Sequence, residues 1–206
     1  MNQDPFVFER FKRLVVNTAI SKTQQPRHTQ RVGSKLEVLY ISRQANGSGH
    51  RLLTNDSHTR LVNILERDFK DKMNVKIVKM EGYSAEEQIQ MASNADIIIG
   101  VHGNGLTNTL WMPKGGLVIE MFPASACMFH FQWVTIMSSQ EYAGISGNII
   151  FPAFTRFVRE PCLSMMQKCN VNQVFDVNVT LVHQVLLRHI SRGNSGLLSC
   201  SYVLRD

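Results

Sequence analysis

The chain of 206 residues predicts an α/β protein with an open parallel sheet and helices on both faces. Three observations lead there. Residues 96–101 (DIIIGV) and 117–121 (LVIEM) are short apolar runs bounded by Gly and Pro, as strands covered on both faces are. Segments with apolar residues at helical spacing separate the candidate strands. The resulting strand–helix alternation calls for parallel strands joined by right-handed crossovers.

Each element has its own signal. Residues 5–18 place Phe8, Phe11, Leu14, Val15 and Thr18 at helical spacing and read as an amphipathic helix. Residues 21–35 are polar and basic with Pro and Gly, a linker. Residues 36–41 (LEVLYI) form the first strand, ending in Ser42, Arg43 and a Gly/Asn/Ser loop to Gly49. Over residues 57–71, Leu61, Ile64, Leu65 and Phe69 share a helix face, with Asn55, Asp56 and Ser57 available as caps. A strand over 75–80 precedes Ser84-Ala-Glu-Glu87, a capping box opening a helix with Ala85, Ile89 and Ala92. The strand at 96–101 runs into the turn His102-Gly-Asn-Gly105 and a short helix over 106–111; after a Pro/Gly break comes the strand at 117–121.

Residues 128–137 read as a helix with Phe129, Trp133 and Ile136 inward, and 142–157 as irregular. Val179, Val182, Leu186 and Ile190 mark a last helix, stopped by Gly193. These signals divide the chain into an N-terminal helix and linker (1–35), a Rossmann-like domain (36–160) and a C-terminal extension (161–206) whose helix packs back.

Composition excludes more than it selects. Hydrophobic residues make up 44% and charged residues 18%, ordinary for a globular chain. The net charge of +6 suits an anionic ligand such as a nucleotide diphosphate, but no basic run is interleaved with aromatics as nucleic-acid binding would ask. No apolar run is long enough to span a membrane, and Glu9, Arg10, Lys12 and Arg13 interrupt any signal peptide. Sequons at Asn46, Asn55 and Asn178 fit a lumenal history. The cysteines, Cys127, Cys162, Cys169 and Cys200, lack zinc-ligand spacing and fit disulfides or free thiols equally.

The turn after the third strand carries most of the chemistry. Gly103, Asn104, Gly105, Leu106 and Thr107 can aim backbone N–H groups, a helix N-terminus and a hydroxyl at a phosphate. A tight turn that needs positive φ would use the same glycines. The dinucleotide fingerprint G-x-G-x-x-G would require Gly or Ala at Asn108, and it normally opens a βαβ unit, so a dehydrogenase-like cofactor domain is disfavoured. Glu120, inside an apolar strand, needs a partner: a ligand or a neighbouring Lys or Arg. Arg43 and Arg51 flank the loop at the carboxyl end of the first strand, placed either to bind phosphate oxygens or simply to be solvated. His102 can act as acid or base, or orient the turn. Asp96 stands at the opposite end of its strand and reads as a helix-side or cap partner. No D-x-D pair occurs, so a metal-bound diphosphate is not indicated.

The run GVHGNGLTNTLWMP…VIEMFP, with Ile41-Ser42-Arg43 and Arg51 upstream, resembles the signature of glycosyltransferase family 61 over residues 36–123. The family usually has Ala where this chain has Asn104. The resemblance implies one half of a GT-B enzyme, the donor-binding C-terminal half, in which two Rossmann-like halves face each other across a cleft. It implies inverting transfer of a sugar from a nucleotide diphosphate, with UDP the expected nucleotide, to a glycan or glycoprotein hydroxyl in the Golgi or endoplasmic reticulum lumen. The turn residues, Thr107, Arg43 and Arg51 would then hold the diphosphate, Glu120 the ribose hydroxyls, and His102 would be the candidate catalytic group. The base that activates the acceptor is expected in the half not seen here. A non-catalytic nucleotide- or sugar-binding module, left by a truncated gene, is the alternative.

Overall fold

A computed structural model describes residues 5–23, 35–44, 51–123, 130–152 and 173–192. After helix α1 (Pro5–Thr23), the run LEVLYI forms β1 (Leu36–Ile41) and a two-residue β2 (Leu52–Leu53) follows. Helix α2 (Asn55–Asn63) widens into a π turn over Ile64–Asp68 and leads to β3 (Met73–Val78), then α3 (Ala85–Asn94) and β4 (Ile97–Val101). A 3₁₀ helix (Asn104–Trp111) joins β4 to β5 (Leu117–Phe122). The remaining elements are α4 (His130–Met137), β6 (Glu141–Ser146), β7 (Ile149–Pro152), β8 (Val174–Phe175) and α5 (Val179–Arg192).

The main sheet runs β3-β1-β4-β5-β6-β7. All neighbours are parallel except β7, which pairs antiparallel with β6 at the edge. This is the predicted Rossmann-like α/β sheet. Its order fixes the important place. The chain passes from β1 to β3 on one side, then crosses to β4 on the other, so the carboxyl ends of β1 and β4 flank the point where strand order reverses. Open α/β sheets bind ligands in the crevice at such a point.

Both faces of the sheet are covered, which explains the continuous apolar runs. Ile97, Ile99, Val101, Leu117, Ile119 and Met121 face a core built with Leu61, Leu65 and Phe69, to which α5 adds Val182, Val185 and Leu186. Ile98 and Val118 face the other way, toward Ala92, Leu106, Met112, Phe131 and Tyr142. Burying each Leu or Ile side chain contributes about 1.5–3 kcal/mol, so the paired runs anchor the sheet.

Local chemistry explains several boundaries. Ser84 accepts from the Glu87 N–H while the Glu87 carboxylate accepts from the Ser84 N–H, the predicted capping box. Helix α2 begins earlier than expected, and its cap is Thr54 rather than Asn55, Asp56 or Ser57; the Thr54 hydroxyl accepts from the Ser57 N–H. Asp176 ties this start to β8 by accepting from the Thr54 and Ser57 hydroxyls.

Four expectations are corrected. Residues 142–157 were expected to be irregular, yet β6 and β7 form a hairpin. Gly147 at φ 56° and Asn148 make its two-residue turn. Helix α1 packs on α3 and buries Lys12, Val16 and Ala19, leaving Phe11 and Leu14 exposed, so its buried face is rotated away from the apolar stripe. On α4 the inward residues are Phe131 and Thr135, with Trp133 exposed. Asp96 caps no helix: its carboxylate accepts from the Glu37 N–H and links the starts of β1 and β4. The four cysteines, Asn46 and Phe129 lie outside the described residues. Among the described residues no helix is long and apolar enough to cross a membrane.

Candidate functional site

The turn after β4 is shaped by glycines at close approaches. Gly103 has φ 153° and ψ 178°, a region essentially confined to glycine. A Cβ built there would lie 2.1 Å from Arg43 Nη1, so the guanidinium occupies the space a side chain would fill. Gly105 presses on β1, where a Cβ would meet Ile41 Cγ2 at 2.9 Å. The turn and Arg43, 60 residues apart in sequence, thus meet at the carboxyl ends of β1 and β4.

From this turn the 3₁₀ helix starts with Gly103 as its N-cap. The Leu106 N–H donates to the Gly103 carbonyl (2.9 Å), leaving the Asn104 and Gly105 N–H groups without partners inside the helix. Leu106 is buried and anchors the helix, whereas Asn104 and Thr107 are exposed beside the turn. Asn108, where a dinucleotide fingerprint would need a small residue, donates to the Gly105 carbonyl and to Gln88 Oε1, both at 3.1 Å. Those bonds fasten the turn to α3.

Beneath the turn lies a buried polar triad. Glu120 on β5 is fully buried and His102 is 3% exposed. His102 Nδ1 hydrogen-bonds Glu120 Oε1, and the Tyr142 hydroxyl on β6 donates to Glu120 Oε2 at 2.6 Å. Burial, and then the neighbouring Glu120 charge, push the Tyr142 phenol well above its ordinary range, so it stays a donor. Phe131 sets its ring edge-on to His102, with centroids 5.5 Å apart, and His130 lies 6.3 Å away. Glu120, expected at the ribose hydroxyls, has partners on both its oxygens and no exposed surface. Nor is its partner a Lys or Arg.

The structure therefore brings Arg43, His102, Gly103, Asn104, Gly105, Leu106 and Thr107 together, with Glu120 underneath. Arg51 stands at the entrance to β2 with φ 69°, and Arg43 supplies the atoms nearest the Gly103 position. Sequence reasoning missed Tyr142, which fell in the segment read as irregular. Two clefts elsewhere, of about 320 and 350 Å³, are lined by Glu37, Lys76 and Gln90 and by Lys12, Asp96 and Trp111. Glu37 and Asp96 belong to the strands' amino ends, so these clefts lie away from the glycine turn.

In open α/β sheets the switch point is where ligands bind, and a glycine turn opening a helix there is an arrangement that can take a phosphate. The sequence profile of Glycosyltransferase 61 matches residues 4–119, more than half of the chain, and the chain belongs to that family. Protein O-linked-mannose beta-1,4-N-acetylglucosaminyltransferase 2 of Homo sapiens is 30% identical over 94 residues, 46% of this chain and 15% of that protein. EGF domain-specific O-linked N-acetylglucosamine transferase of Drosophila melanogaster is 32% identical over 88 residues, 43% of this chain and 16% of that protein. The chain thus matches only a small part of the length of these relatives.

Proposed function

We propose that this chain is the donor-binding part of a glycosyltransferase of the GT-B type. It would hold a nucleotide diphosphate sugar, UDP-linked, for inverting transfer to a hydroxyl of a glycan or glycoprotein in the Golgi or endoplasmic reticulum lumen. The names of these two relatives make N-acetylglucosamine the first sugar to test. The observation that carries the reading is Arg43 packed on Gly103, beside the Asn104 and Gly105 N–H groups, at the sheet's switch point.

In an inverting displacement the acceptor hydroxyl oxygen attacks the anomeric carbon from the face opposite the diphosphate and gives its proton to a general base, expected in the facing half of the enzyme. The bond from that carbon to the diphosphate breaks, and the electron pair leaves with UDP. Negative charge grows on the phosphate oxygens, where the Arg43 guanidinium, two backbone amides and the Thr107 hydroxyl are available to meet it. Arg43 suits this role because its planar fork can engage two oxygens at once. Arg51, at the entrance to β2 in the separate two-stranded sheet, remains a second candidate cation. These groups supply the positive charge on their own, and the scheme takes no step through a metal.

Calorimetric titration of the purified chain with UDP, alongside Arg43→Ala, tests the reading. UDP binding that falls about 10- to 100-fold in the variant is expected for a lost charge-assisted contact. A folded chain that takes up no UDP would refute it.

A further inference from the structure

The triad under the turn is costly for a core. Glu120 shares its sheet face with Val118, and a buried carboxylate is costly unless its oxygens are paired. The surrounding backbone nevertheless makes room for it. Gly144 lies directly beside Glu120 in the register of β5 and β6. A Cβ on Gly144 would meet the Tyr142 hydroxyl at 2.9 Å and the Phe122 ring at 3.2 Å. The glycine thus leaves the path along which the Tyr142 hydroxyl, from two residues earlier, reaches Glu120 Oε2. Glu120 Oε1 in turn takes the Nδ1 edge of His102, next to Gly103. Among the described residues the other ring nitrogen, Nε2, has no hydrogen-bond partner.

We propose that Glu120, anchored by Tyr142, holds His102 with its proton on Nδ1, so that Nε2 presents a lone pair at the turn and accepts from a hydroxyl of the nucleotide bound there. The proposal rests on the donor-site reading above and assigns two residues that reading does not use. Glu120 and Tyr142 are positioning residues: neither touches the donor, and both act through the imidazole. A carboxylate at one ring nitrogen fixes which edge of a histidine carries the proton. The groups facing His102 are Glu120 from β5, Tyr142 behind it from β6, and His130 and Phe131 from α4. Among them only Glu120 bonds the ring.

The test uses the full chain labelled with ¹⁵N-histidine, read by two-bond proton–nitrogen correlation with and without UDP. In the wild type the Nδ1-protonated form of His102 is expected, and the Nε2 resonance should move when UDP binds. Glu120→Gln is expected to mix the two tautomers and weaken UDP binding about tenfold. Tyr142→Phe removes one hydrogen bond and little volume, so it serves if Glu120→Gln does not fold; a partial tautomer shift and about threefold weaker binding are expected. A purely packing role would lower the melting temperature without moving the nitrogen spectrum. Unchanged His102 tautomers in the folded variants, or UDP binding with an unmoved Nε2, overturn this inference alone. No UDP binding by the folded wild type overturns the donor reading and this inference with it.

Discussion

Gly103→Ala separates two jobs that one glycine performs. The new Cβ would stand 2.1 Å from Arg43 Nη1 and 3.1 Å from its Cζ. Ordinary carbon contacts begin near 3.5 Å, so the guanidinium must retreat by about 1.4 Å. Charge-assisted hydrogen bonds form at roughly 2.7–2.9 Å and do not survive such a shift. The loss is about 1.5–3 kcal/mol of ligand binding, or roughly a 10- to 150-fold rise in the UDP dissociation constant. Separately, φ 153° with ψ 178° costs an alanine about 1–3 kcal/mol of stability. For a chain of this size each kcal/mol lowers the melting temperature by about 2–4 °C. Gly115→Ala is the control. It too has positive φ, 77°, but nothing lies within 4 Å of its Cβ position. It should lose stability while keeping its UDP affinity. Calorimetry and thermal melts on the two variants give both readouts. UDP binding by Gly103→Ala at wild-type strength would refute the placement of Arg43 as a ligand group.

Three further outcomes test the scaffold. Ser84→Ala removes the capping-box acceptor of α3 and should destabilise the fold by about 1 kcal/mol, seen as a lower melting temperature with UDP affinity kept. Leu186→Ala empties a fully buried position where α5 meets the main core and should cost about 2–5 kcal/mol in denaturant unfolding. A C-terminal helix only loosely attached would show far less. Asp176 is held below the ordinary carboxylate value of 3.8 by the Thr54 hydroxyl and then the Ser57 hydroxyl. Its folded form resists protonation, so its stabilising contribution is complete above about pH 3.8 and is lost as pH falls through the lower folded value. In acid unfolding, Asp176→Asn should narrow the stability gap to wild type only within that window; an unchanged gap there counts against it.

The parts legible in the sequence were those whose signal is local. The runs of β4 and β5 show no polar–apolar alternation because both faces are covered, and that pattern needs no knowledge of partners. The capping box of α3 is likewise a four-residue matter. Glu120 was conspicuous because an acid in an apolar strand needs an explanation, but its partner was not readable. Tyr142 lies 22 residues on, and only the pairing of β5 with β6 makes the two neighbours. The hairpin hid for a related reason: Gly144 and Gly147 look like breaks in a strand. One clears a path for a side chain and the other turns the chain. The buried face of α1 was misread because helical periodicity ranks residues by apolarity. The helix packs on α3 and buries Lys12, Val16 and Ala19 instead.

The same topology explains why the site has two unlike walls. Strand order reverses between β1 and β4, so a connection leaves each strand's carboxyl end in a different direction and a crevice opens between them. Arg43 enters from the β1 side, and glycine is required at position 103 because the guanidinium takes the space of a side chain. On the other side β4 continues into β5 and β6, whose parallel register sets Glu120 beside Gly144 and carries the Tyr142–Glu120–His102 chain up to the same turn. A permanent cation and an imidazole fixed by a carboxylate therefore converge on one short stretch of backbone. The first can neutralise charge but cannot give up its proton. The second, with its proton held on Nδ1, adds an acceptor at Nε2 that the guanidinium cannot supply.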